Sequence, residues 1–155
     1  MKRIRIFLGS MLWVLPIWAV MVILSYLSLK LFGVSMGKAQ ASSIPTSLTN
    51  IVLLVPLIET FLFYFLPYNM LVFNKPNHRK VVYVGVSALA FAVVHLYNFL
   101  FFVSAFIIGI FLAARFYHVA QKEKEIIATL SIFITHAMFN FTTYIVKKYG
   151  CFFDI

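Results

Sequence analysis

From Ile6 to Leu29 the chain carries no charged residue. At ~1.5 Å per residue that run is long enough to cross a bilayer as a helix. Further apolar runs cover about Leu48 to Phe73, Val81 to Asn98, Phe99 to about Tyr117, and Ile126 to Val146. A soluble domain of 155 residues cannot bury a chain that is 63% apolar, with mean hydropathy +0.99, because too much of it lies at the surface. The expectation is an all-α, polytopic membrane bundle of about five transmembrane helices. It forms one domain over residues 1–155, and the core that carries the polar positions below runs over 48–146.

Several local signals refine this picture. The first run is far longer than the apolar core of a signal peptide and distant from Ala39-Gln40-Ala41, so it reads as an uncleaved helix that Pro16 bends. Ser47 or Thr49 suits the N-cap of the second helix. That helix contains Pro56 and Pro67, which in an α register free the carbonyls of Val52 and Phe63. Broken helices persist at membrane depth where their backbone faces protein or a wet cavity. The joint between the third and fourth helices falls at Tyr97-Asn98 and is very tight.

The net charge of +9 does not point to nucleic acid, since the basic residues gather at the ends of the apolar runs. Of the 13 Lys and Arg, nine fall at the N-terminus, in 74–80 and in 115–124, against four at Lys30, Lys38, Lys147 and Lys148. That asymmetry places the N-terminus in the cytoplasm of a cell inner membrane and the C-terminus outside. Cys151 has no partner for an intrachain disulfide. It is fifth from the end, one place off a prenylation box.

Only four acidic residues occur, and Glu59 alone lies within an apolar run; Glu123 and Glu125 are in a charged loop and Asp154 is in the tail. An ionisable group at membrane depth is expensive and is a functional candidate by default. Counting from the cytoplasmic flanks, Glu59, His95 and His136 each fall ~18–23 Å deep, on three separate helices. Asn140 is one turn beyond His136, on its face. His78 and His118 fall at the flanks. A carboxylate in an apolar cavity suits a general base near neutral pH. A water between Glu59 and His95 is then placed to attack a carbonyl, with His136 and Asn140 positioned for the oxyanion. Two His and one carboxylate are also a familiar zinc set, so Glu59, His95 and His136 are candidate metal ligands.

The motifs resemble those of the CAAX protease and bacteriocin-processing (Abi-type, or CPBP) intramembrane endopeptidases. The first family motif, Glu-Glu-x-x-x-Arg, aligns with Glu59-Thr60-Phe61-Leu62-Phe63-Tyr64. The second aligns with Phe91-Ala-Val-Val-His95 and the third with His136-Ala-Met-Phe-Asn140. The resemblance runs from about Leu54 to Phe141 and includes Gly109. It implies a protease acting on a peptide or membrane-associated protein at the lipid surface. Glu59, His95, His136 and Asn140 are its implied catalytic residues. Thr60 and Tyr64 depart from the pattern: neither supplies the charge of the family's Glu and Arg. A non-enzymatic immunity or scaffold relative and a bis-histidine haem protein on His95 and His136 are the competing readings.

Overall fold

The computed structural model describes residues 2–33, 47–72 and 79–149. His78, Cys151, Asp154 and Ala39 to Ala41 lie outside them. All the regular elements among the described residues are helical. The chain runs through α1 (Lys2–Leu12), α2 (Val14–Phe32), α3 (Asn50–Leu71), α4 (Lys80–Val93), α5 (Phe99–Ala120) and α6 (Glu125–Tyr149). Four spans are long and apolar enough to cross a membrane: Ile6–Leu31, Asn50–Leu71, Phe99–Ala120 and Glu125–Val146. The first is α1 and α2 together, interrupted at Trp13, three residues before Pro16, whose missing N–H removes a helical bond there. Gly33 ends α2 at φ 63°, a left-handed conformation that costs a glycine nothing, and its N–H closes on Leu29 O at 3.0 Å.

The fifth apolar helix is shorter than the sequence suggests. A single helix over Val81–Asn98 was expected, but α4 stops at Val93. Its 14 residues rise ~21 Å, less than the ~30 Å hydrocarbon core. The stop has a local cause. Asn98 is extended (φ −155°, ψ 169°), and its side chain accepts from Phe101 N at 2.8 Å, which starts α5 anew. Residues 94–98 form a turn, closed by His95 N to Ala92 O at 3.0 Å and Tyr97 N to His95 O at 2.8 Å.

α4 and α5 pack as a close hairpin because small residues face each other. A Cβ on Gly109 would sit 2.9 Å from Ala88 Cα. Around this seam Tyr64, Tyr68, Tyr83, Phe91, Leu112, Phe116 and Ile132 fill the core. The N-terminal span leans on this unit through polar pins: Arg115 Nη2 donates to Ile6 O at 3.2 Å, and Trp18 Nε1 donates to Thr142 Oγ1 at 2.8 Å.

α3 is where the fold departs most from regularity. It alternates π and α segments: π over Asn50–Leu54, α over Val55–Thr60, π over Phe61–Phe65 and α over Leu66–Leu71. Ser47 caps its start, accepting from Asn50 N at 3.3 Å. Each π turn ends two residues before a proline. Val55 N–H bonds back five residues to Asn50 O and Leu66 N–H to Phe61 O. The next donor in each ladder would be Pro56 or Pro67, which has none. In this register the carbonyl that a proline leaves without an N–H is five residues back, Ile51 for Pro56 and Leu62 for Pro67, where an α register gives Val52 and Phe63.

Candidate active site

Glu59 lies in the α segment between the two π turns. Its carboxylate reaches both imidazoles. Oε1 is 3.6 Å from His95 Nε2, and Oε2 is 3.3 Å from His136 Nε2. The His136 side chain is 4% exposed, that of Glu59 14% and that of His95 20%, so the cluster is sheltered at His136 and reachable at His95. Glu59 and His136 come from spans and His95 from the 94–98 turn, not from a helix.

Local chemistry orients each ring. His95 Nδ1 lies 2.7 Å from Phe91 O. A carbonyl only accepts, so Nδ1 carries the hydrogen and Nε2 of the neutral ring turns a lone pair toward Glu59. The Phe91 ring lies tilted 4.4 Å from His95 and meets His136 edge-on at 5.6 Å, holding both imidazoles against one phenyl. Phe101 stacks with His95 at 6.1 Å. Two acceptors thus face each other across 3.6 Å, which calls for a proton or a water hydrogen between them.

Asn140 does not touch the carboxylate. Its Nδ2 donates to Ile51 O at 3.0 Å, the carbonyl that Pro56 leaves unserved. One amide hydrogen remains for other work. His118 is exposed at the end of α5, away from the cluster.

Thr60 and Tyr64 are both fully buried. The Tyr64 ring packs 6.0 Å from Phe91, and its backbone carbonyl accepts from the Tyr83 hydroxyl at 3.2 Å. Their hydroxyls have no hydrogen-bond partner, and neither do Glu59 Oε2 and His136 Nδ1. Sequence reading assigned Tyr64 only a missing charge. Its burial beside the cluster depends on the π turn, for which the sequence offers no signal beyond Pro67.

The donor chemistry of Glu59, His95 and His136 suits zinc, but among the described residues no three His, Cys, Asp or Glu side chains close around one point as a metal cage. The bis-histidine haem reading loses its geometry too, since both Nε2 atoms face Glu59.

A bundle of membrane-capable helices enclosing a sheltered Glu/His/His cluster defines the class, an integral membrane protein. Residues 41–142 match the family described as Type II CAAX prenyl endopeptidase Rce1-like, and the chain belongs to that family. No curated protein and no solved structure matches it.

Proposed function

We propose that this chain is an intramembrane endopeptidase that hydrolyses a peptide bond at or near the membrane. The observation that carries the reading is the 3.6 Å separation of Glu59 Oε1 and the lone pair of His95 Nε2, which a water seated beside the two atoms can bridge with a hydrogen toward each. Glu59 takes one proton from that water. The water oxygen then bonds to the peptide carbonyl carbon. His136 and the spare amide hydrogen of Asn140 donate to the oxyanion. The C–N bond breaks as the proton passes to the leaving nitrogen, giving a carboxylic acid and an amine. The family fits this reading, since it is one of peptidases.

Glu59→Gln keeps the shape and removes the base. Cleavage of a membrane-reconstituted substrate should fall at least ~100-fold, within the usual range for losing a general base. Unchanged cleavage would sink the assignment. Zinc held by Glu59, His95 and His136 is a separate proposal resting on donor chemistry alone. Elemental analysis of purified wild type against Glu59→Gln tests it: a stoichiometric zinc lost with the carboxylate supports ligation.

One observation favours a second reading, a non-enzymatic immunity or scaffold relative. Thr60 and Tyr64 are buried and uncharged where the family carries a Glu and an Arg. A host phenotype that survives His95→Ala combined with His136→Ala would favour that reading over the protease.

A further inference from the structure

Two hydroxyls of α3, Thr60 Oγ1 and that of Tyr64, are buried without a hydrogen bond, and Glu59 Oε2, buried in the same six residues, has only the 3.3 Å approach of His136 Nε2. Each would cost roughly 1–3 kcal/mol if left dry. Helix geometry brings them to one side. In a regular α-helix a residue five positions on points ~140° away, so Tyr64 would turn its back on Glu59. The π turn over Phe61–Phe65 bonds five residues back and rotates Tyr64 toward the azimuth between Glu59 and Thr60. The Tyr64 ring leans on the same Phe91 that backs both imidazoles.

We infer that Thr60, Tyr64 and Glu59 Oε2 enclose a single buried water, and that Tyr64 is thereby a positioning residue for the carboxylate. A buried water requires two to four polar partners, and this niche offers two hydroxyls and one carboxylate oxygen. The water donates to Oε2 and accepts from the Tyr64 hydroxyl, while Thr60 takes its second hydrogen. Glu59 Oε2 is thus held, and Oε1 is left to face His95. Two neutral hydroxyls and a water here do the orienting that a buried charged pair would do, without the desolvation of two ions. The inference rests on Glu59 as the base, but its test does not require that a substrate be known.

The test is infrared spectroscopy of the purified protein, acidified until Glu59 is protonated, with its carboxyl C=O band assigned by its loss in Glu59→Gln. In Tyr64→Phe the ring and its packing stay and the hydroxyl goes. The band should move to higher frequency, as it does when a carboxyl loses a hydrogen bond, and Thr60→Val should move it the same way. Thr60→Ser, which keeps the hydroxyl, should leave it in place. Where cleavage is measurable, Tyr64→Phe should slow it about tenfold with thermal stability unchanged or raised. A band that stays put in both Tyr64→Phe and Thr60→Val overturns the water site while leaving Glu59 as base. A band that shifts as expected in a protein that cleaves nothing keeps the water site and removes the protease reading.

Discussion

At the scale of single residues, the side chain doing the least expected work is Asn140. The motif His136-Ala-Met-Phe-Asn140 suggests an amide aimed at substrate. The structure gives one of its hydrogens to Ile51 O. That bond exists because Pro56 has no N–H, so the two residues form one device although 84 positions separate them (140 − 56). Asn140→Leu should destabilise the fold by about 1–3 kcal/mol, the cost of an unpaired carbonyl in apolar surroundings. In a Pro56→Ala background the helix regains its own donor, and the same change should cost about 1 kcal/mol less. Unfolding curves of the four proteins in mixed micelles check this, and strictly additive costs would uncouple the pair. Depth counting brought Glu59, His95 and His136 to one level from sequence alone, because rise per residue is nearly constant. It could not foresee which carbonyl would lack a partner, since that depends on a register set by packing.

At the scale of elements, apolar runs bounded by charge made the long helices legible, and the prolines marked α3 as irregular. What stayed hidden was the form of the irregularity. Proline removes a donor whatever the register, so Pro56 and Pro67 do not distinguish a kink from a π turn. The end of α4 was hidden for a similar reason. Phe91 and His95 have the spacing of one helical turn, and the sequence reading ran the helix through them. The signal against it was Asn98, a good N-cap directly before the Phe99 run. The seam of that hairpin makes a sharp forecast. Gly109→Ala places a methyl 2.9 Å from the Ala88 backbone, so α4 and α5 must part. A loss of about 1–3 kcal/mol is expected. Ala88→Gly should rescue it only in part, because the Cα and carbonyl of residue 88 remain in the way. Full rescue would show that the side chains alone set the spacing.

At the scale of the molecule, the fold gathers its polar chemistry against the α4–α5 hairpin and leaves apolar side chains such as Leu15, Leu57 and Leu89 outward, as lipid requires. The charge asymmetry predicts the 121–124 loop and the N-terminus on the cytoplasmic side. In a Cys151→Ser background, a cysteine at Lys122 should be labelled by an impermeant thiol reagent only in inverted vesicles. One at Leu48 should be labelled only in right-side-out vesicles. The opposite pattern would invert the topology and place His95, on its turn, nearer the cytoplasmic face.

A π turn is a place where a helix stores one surplus residue while its flanks keep their bearings. Deleting a single residue from Asn50–Leu54 therefore lets the strand of backbone close into ordinary α geometry with Glu59 still aimed at its imidazoles. The same deletion within Val55–Ile58 has no slack to draw on and swings the carboxylate ~100° around the axis. Single-residue losses along this span should accordingly be forgiven upstream of Pro56 and fatal to the site a few positions later.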